Sequence, residues 1–431
     1  MNEVQQGAAS AAQLAREQAM RERGRHRAEK AIRKALERGE AAETPAGVQL
    51  AKRAVQPLAD AIRALCGPQK GAGRRHTAAK LLKDVDPELA AYCTVRGALG
   101  FATQQRTLRS AALFVSEVLE TELIADAFEA ANTPLYRAVI RNAEARGLSA
   151  ERTAKAVGLA NRRFGVVEKP WTLAQRLHLG AKLVELFIEK IGIVEAFYTR
   201  TGRHATSHRL RLTAEIDAWM AKYNQAAALT RPFLLPTLVP PKPWTSPVDG
   251  AYYSTAVRGG NLVTKPFPGQ IEALGAATRA GQMEPVYKGI NGLQATPWRI
   301  NKRVLAVMQG AWEGNLAGLP MPKRESDPEP ETPQEVKDAE KGSEVRRAWR
   351  RFKRDWHIQD QREKNQRFEF QRALAVAEEN AEEAAIYFPH RLDFRGRAYA
   401  AGTTLQPQGP DECRALAAKP PVAPSRPQFC P

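Results

Sequence analysis

Near the end of the 431-residue chain, Asp393-Phe394-Arg395-Gly396-Arg397 sets two arginines around a glycine. Forked guanidinium groups take phosphate oxygens in pairs, and a residue without a Cβ lets the backbone approach a strand closely. A second concentration of cations lies at 67–76, GPQKGAGRRH, where three glycines and a proline accompany Lys70, Arg74, Arg75 and His76. Backbone freedom combined with charge reads as an exposed basic loop. A third lies at 199–208, a polar stretch with Arg200, Arg203 and His204 around Gly202. The chemistry these residues share is the binding of anions. The four cysteines, Cys66, Cys93, Cys413 and Cys430, are far apart and show neither CxxC nor Cys/His spacing. Free, partly buried thiols are expected, not a zinc site or a disulfide framework.

The bulk composition agrees. Lys and Arg number 65 against 47 Asp and Glu, a net charge of +18, so the field attracts polyanions over roughly 8 Å at physiological salt. Nucleic acid and an anionic membrane surface are the candidate partners. No run approaches the ~20 apolar residues of a membrane span, and the first thirty residues lack a secretory core. That segment also carries Glu17, Glu22, Glu29 and Glu37, acids that transit peptides avoid, and it reads as a solvated helix face. With 43% hydrophobic residues the chain has enough apolar material for two or three folded domains.

The elements that must carry the basic groups are mostly helices. Helical periodicity runs from Leu14 to about Leu65 with a break near Thr44-Pro45, and returns from Thr77 through Ala130. Thr172 and Gln175 form a capping box ahead of Leu173, Leu177, Gly180, Val184, Phe187 and Ile191, at three- and four-residue spacing. Apolar Ile193 to Tyr198, the basic stretch, and Leu210 and Leu212 alternating with Arg209 and Arg211 predict a β-hairpin with a basic tip. Six prolines around Trp244, from Arg231 to Val248, demand an extended, constrained segment. Residues 325–344 hold eight acids and three prolines ahead of Arg346, Arg347, Arg350, Arg351, Lys353 and Arg354. An acidic surface linker entering a long basic helix is implied, on which Trp349, Phe352, Trp356, Phe368 and Phe370 read as helix-packing residues.

Within Ile386 to Gly409, the run Asp393 to Arg397 with Tyr399 resembles the D-x-x-G-R motif of the single-subunit, bacteriophage-type DNA-directed RNA polymerases. Phe388-Pro389 before it and Pro407-Gln408-Gly409 after it fit that family too. Two upstream blocks point the same way: Leu238 to Thr245, and Pro285 to Asn291 continuing from Trp298 to Val307.

The resemblance implies a mainly α fold: a helical N-terminal promoter-binding domain with a β-hairpin insertion over 1–324, an acidic linker and helical thumb over 325–384, a truncated α/β palm edge over 385–416, and a divergent Pro-rich tail over 417–431. It implies that Asp393, Arg395, Gly396 and Arg397 hold the template strand near an RNA–DNA hybrid, with Asp393 orienting a neighbouring Arg. Lys70, Arg74, Arg75 and His76 occupy the place of the family's AT-rich recognition loop. Phe197, Tyr198, Arg203 and His204 belong to its intercalating hairpin, with Phe197, Tyr198 or His204 as wedge. The partners implied are double-stranded promoter DNA and the template strand, with no membrane, in the cytoplasm of a bacterial host and of phage or prophage origin. Mg²⁺ belongs to the complete family enzyme. Its ligands lie in segments beyond this chain's end, so a truncated polymerase is expected, with no catalytic or metal-binding residue of its own and inactive unless a second chain supplies fingers and palm. The alternative is a stand-alone basic nucleic-acid-binding protein without promoter specificity.

Overall fold

The computed structural model describes residues 3–68, 76–148, 150–167, 171–200, 206–258, 260–316, 321–340 and 342–419. The structure is mainly helical, with short two-stranded antiparallel sheets. Two compact units divide the chain: Met1–Arg25 with Leu229–Pro431, and His26–Ala228. This is a division by packing, and its borders differ from those expected from the resemblance at 324, 384 and 416.

The unit His26–Ala228 follows the end of helix α1 (Glu3–Glu37) with α2 (Pro45–Cys66), α3 (Thr77–Leu81), α4 (Pro87–Thr103), α5 (Leu108–Ala131), α6 (Thr133–Ala145), α7 (Ala150–Phe164) and α8 (Leu173–Ile191). The hairpin β1 (Val194–Arg200) and β2 (Thr206–Leu212) and helix α9 (Ala214–Leu229) complete the sequence. The break near Thr44-Pro45 is real: the Thr44 hydroxyl accepts the Gly47 N–H at 3.1 Å, with Pro45 opening α2. At Thr172 both halves of the capping box form, and α8 closes on Gly192 in the left-handed conformation. The core is built from Leu58, Leu99, Val115, Leu119, Leu183 and Phe187, all without solvent exposure. Helices α5 and α8 approach so closely that a Cβ on Gly180 would sit 1.8 Å from the Ala112 carbonyl oxygen. Leu173, read from its spacing as part of the α8 apolar stripe, is exposed in the first turn, where no neighbour covers it.

The other unit contains β3 (Lys242–Ser246), β4 (Asp249–Ala251), α10 (Thr255–Arg258), α11 (Gln270–Arg279), α12 (Glu284–Gln294), β5 (Arg299–Ile300) and α13 (Lys302–Glu313). It continues through α14 (Gln334–Asp338), α15 (Glu344–Glu379), β6 (His390–Leu392), β7 (Ala398–Ala400), α16 (Asp411–Leu416) and β8 (Ala417–Ala418). Its core holds Trp244, Tyr252, Phe370, Ile386 and Phe388. The proline-rich stretch is extended as expected, and Trp244 is its buried anchor. Most of the Pro-rich tail lies outside the described residues.

Two expectations about side-chain environment are corrected. The first 25 residues are not simply a solvated helix face: Gln13, Glu17, Met20 and Gly24 form a buried stripe. The Glu17 carboxylate accepts the backbone N–H groups of Tyr253 and Ser254 at 3.1 and 2.5 Å and the Gln13 amide at 2.7 Å. A buried carboxylate is tolerated because hydrogen bonds replace its water. On α15 only Phe370 of the five aromatics is buried, against Trp312 with ring centroids 5.2 Å apart. Phe352 and Phe368 are exposed, because no residue of α15 before Phe370 enters the core.

Candidate nucleic-acid interface

The sequence blocks at 238–245, 285–307 and 386–409 converge in space. From the first, Trp244 donates its indole N–H to the His390 carbonyl at 3.0 Å. From the second, the Asn291 side chain accepts the Trp244 N–H at 2.7 Å and donates to the Trp244 carbonyl at 2.9 Å. Gln294, one helical turn on, donates to the Lys242 carbonyl at 2.9 Å. Trp298 and Ile386 exchange backbone hydrogen bonds at 2.7 and 2.8 Å. His390 itself is buried, and burial pulls its imidazole below the ordinary value despite the contact at 2.7 Å to the Phe388 carbonyl. A carbonyl only accepts, so Nδ1 carries the proton.

This frame projects the β6–β7 hairpin, whose connection is the Asp393–Arg397 run. The Gly396 N–H closes a turn onto the Asp393 carbonyl at 3.0 Å, and the Asp393 N–H bonds the Arg397 carbonyl at 2.9 Å. Gly396 takes φ +82°, a left-handed conformation open to glycine without steric cost. Asp393 Oδ1 accepts the backbone N–H groups of Arg395 and Arg397 at 2.9 and 3.0 Å, and Oδ2 takes the Arg397 guanidinium through two contacts of 2.8 Å. Desolvation works against the Asp393 charge, but the Arg397 N–H and guanidinium and the Arg395 N–H outweigh it and hold the carboxyl below its usual range. The aspartate therefore both builds the turn and aims an arginine. Arg395 lies over the Phe394 ring at 5.0 Å and Arg397 over Tyr399 at 5.7 Å, and both rings are exposed. The result is a rigid turn carrying two guanidinium groups and two aromatic faces.

The 194–212 hairpin is anchored at its base by buried Val194, Leu210 and Leu212. The Arg209 guanidinium donates to the Gln105 carbonyl at 3.1 Å and the Leu210 N–H to the Arg106 carbonyl at 2.9 Å. Phe197 is half-buried beneath the Arg211 guanidinium at 4.9 Å. Tyr198, 72% exposed, meets His208 edge to face across the strands at 4.4 Å. Arg203 and His204 lie outside the described residues, as do Lys70, Arg74 and Arg75 of the basic loop. His76, the loop's last member, is described as the N-cap of α3, with Nδ1 accepting the Ala78 N–H at 3.1 Å.

Sequence reasoning found the Asp393–Arg397 turn and the hairpin but missed the network beneath them. Asn291, Gln294 and His390 are scattered polar residues with no spacing signature. The one available signal was Trp244 among prolines, an aromatic too costly to leave in water. Among the described residues no three His, Cys, Asp or Glu side chains converge as a metal site, and no helix is long and apolar enough to cross a membrane.

The family described as DNA-directed RNA polymerase N-terminal matches residues 12–295. T7 RNA polymerase of Escherichia phage T7 is 28% identical over 429 residues, covering 94% of this chain and 46% of the relative. The DNA-directed RNA polymerase of Enterobacteria phage K11 is 32% identical over 56% of this chain and 26% of its own length. The chloroplastic/mitochondrial DNA-directed RNA polymerase 2 of Arabidopsis thaliana is 29% identical, over 58% of this chain and 26% of its own. The chain thus spans less than half the length of these relatives. An alignment covering 94% of the chain reaches past Arg397, so the turn lies within the span of the match. The matched family, the phage and organellar relatives and the three converging blocks together place this chain in the phage-type single-subunit DNA-directed RNA polymerase family, as a counterpart of its N-terminal region.

Proposed function

We propose that this chain binds promoter and template DNA and opens the duplex for a phage-type DNA-directed RNA polymerase. The observation that carries this reading is the Asp393–Arg397 turn, in which a carboxylate fixes one arginine and a tight connection presents two. Such a constellation suits the phosphates of a single strand, because guanidinium forks pair with phosphate oxygens and preorganisation lowers the entropy lost per bond. In this reading 1–324 is the promoter-binding domain, α15 is a thumb lying along nucleic acid, and 385–416 is the edge of a palm. Lys70, Arg74, Arg75 and His76 meet the narrow, electronegative minor groove of A·T-rich DNA, where an arginine gains more than on average duplex. Tyr198 offers the stacking surface at the edge of the opened DNA.

Nucleotidyl transfer in this family uses two Mg²⁺ ions held by aspartates. The described residues supply no such donor set, so they do not fit the Mg²⁺ site, and no catalytic step is assigned to them. Salt-dependent binding to matched A·T-rich and G·C-rich duplexes tests the reading. Promoter-type recognition predicts a preference for A·T-rich DNA that Arg74→Ala with Arg75→Ala erases. Affinity that falls with salt equally on both duplexes, which is how purely electrostatic binding behaves, would instead establish a basic nucleic-acid-binding protein without promoter specificity.

A further inference from the structure

The acidic segment ahead of α15 does not hang free. It runs back along the helix in antiparallel order. At one end the Arg367 guanidinium donates to the Ser326 hydroxyl at 2.6 Å and the Lys323 carbonyl at 3.4 Å. Midway, Glu329 takes Lys353 at 2.7 Å and His357 at 3.5 Å. At the other end Arg346 donates to the carbonyls of Val336 and Lys337 at 3.0 and 2.7 Å. The helical positions from Arg346 to Arg367 span about 32 Å at 1.5 Å per residue. Pro328, Pro330 and Pro333 keep residues 325–333 from coiling, so the only helix of the segment is the short α14 at its end.

Charge explains why it lies there. Residues 325–340 hold seven acids and a single lysine, while 344–369 of α15 hold nine Lys and Arg against five acids. Glu325, Asp327, Glu329 and Glu331 recur at every second position, which spaces carboxylates about 6.6 Å apart in an extended chain, comparable to the phosphates of an extended single strand. All four are exposed, and α15 has no buried residue before Phe370. The strap is therefore held by the ion pairs of Glu329, by the Ser326 hydroxyl and by a few backbone carbonyls, not by a hydrophobic seam, while Asp327 pairs within the segment with Lys323; exposed pairs of this kind are individually weak and exchangeable.

We infer that residues 325–340 are an intramolecular polyanion occupying the basic side of α15, displaced when a single nucleic-acid strand binds there. This rests on the reading that α15 lies along nucleic acid, and it adds a threshold: a strand must compete with the strap for Arg346, Lys353, His357 and Arg367. Weak, non-specific strands are then rejected while a strand held at several other points is accepted.

The test uses the full chain and a twenty-residue oligo-dT followed by fluorescence anisotropy over a salt series. One variant neutralises the strap (Glu325→Gln, Asp327→Asn, Glu329→Gln, Glu331→Gln). A charge-matched control neutralises four exposed acids elsewhere (Asp126→Asn, Glu215→Gln, Glu272→Gln, Glu284→Gln). The strap variant is expected to bind about tenfold tighter than the unmodified chain, and the control no more than about threefold, since bulk charge acts on both alike. In the unmodified chain, saturating oligo-dT is expected to speed cleavage by a Glu-specific protease after Glu325 and Glu331. Equal gains in the two variants, or slower cleavage with bound oligonucleotide, overturn the inference. A triple variant, Arg346→Ala with Lys353→Ala and Arg367→Ala, made in the strap-neutralised chain so that lost strand contacts are not offset by release of the strap, separates the two readings. If it leaves affinity unchanged, α15 does not bind the strand and both fail. If it weakens binding while strap and control variants agree, the strap inference alone fails.

Discussion

Asn291 and Trp244 are joined in both directions: the asparagine side chain accepts the Trp244 N–H at 2.7 Å and returns its own N–H to the Trp244 carbonyl at 2.9 Å. A strand partner would do the same, so one side chain on α12 completes the β3 backbone, while the Trp244 indole bonds the His390 carbonyl beyond it. Segments more than forty residues apart are locked by three hydrogen bonds around an indole with no solvent exposure.

Asn291→Ala is therefore predicted to cost about 2–4 kcal/mol, because two buried backbone groups lose their partner at once. Asn291→Asp keeps the acceptor and is expected to cost less. Urea unfolding followed by near-ultraviolet circular dichroism measures both. A loss below about 0.5 kcal/mol for the alanine, the ordinary range of surface changes, rejects the lock.

His390 gives the same unit a pH dependence. Burial holds its imidazole neutral and pulls its pKa below the ordinary value. The unfolded chain takes up a proton near pH 6.5 that the folded chain refuses. Stability is thus full above about pH 6.5 and falls as the pH drops from there toward the folded pKa. The urea midpoint is expected to fall between pH 7.5 and pH 5.5, and to fall less in His390→Asn, which retains an N–H for the Phe388 carbonyl. An identical drop in both proteins removes His390 as the cause.

The elements were largely legible in the sequence, since the break at Thr44-Pro45, the capping box at Thr172 and the alternation of β2 are local signals. Glu17 was not legible. Its burial depends on Tyr253 and Ser254, more than 230 residues away, and a polar residue in a polar run carries no mark of it. Of the site, the Asp393–Arg397 turn could be read because five consecutive residues both build it and act from it. The frame beneath it depends on tertiary pairing of Asn291, Gln294 and His390, which leaves no period. Phe352 and Phe368 were misread for the complementary reason, while Phe370 packs as read: spacing shows which residues share a face, but not whether anything packs against it.

At the turn, two substitutions separate conformation from charge. A Cβ at Gly396 meets nothing within 4 Å, so Gly396→Ala costs only the left-handed strain, about 1–2 kcal/mol. Asp393→Asn keeps an oxygen for the two N–H groups but removes the charge that aims Arg397. It is expected to weaken binding to an RNA–DNA hybrid with a single-stranded template extension by about three- to tenfold, the scale of an exposed ion pair. Adding Arg397→Ala should then cost little more, and full additivity in this double-mutant cycle would show that the pair does not act together.

Tyr198 is the described aromatic of the 194–212 hairpin best placed to meet a base. Phe197 is covered by Arg211, whereas Tyr198 is 72% exposed and braced edge-on by His208. Stacking a base on an aromatic ring contributes about 1–3 kcal/mol, comparable to the cost of unstacking one step of duplex. Tyr198→Ala is thus predicted to lower the opened fraction of an A·T-rich duplex carrying 2-aminopurine by about tenfold, while Tyr198→Phe, which keeps the ring, opens it nearly as well as the unmodified chain. Strand pairing should survive, because Val194 and Leu210 anchor the hairpin at its base, away from the substitution. A premelted duplex supplies the decisive contrast. Its unpaired base stacks on the ring as soon as it binds, so the alanine variant should bind it about tenfold more weakly, whereas binding to a duplex held closed should stay within about twofold of the unmodified chain. A loss of equal size on closed and premelted DNA means that Tyr198 contributes general affinity and no opening, and leaves the wedge to another residue of the hairpin.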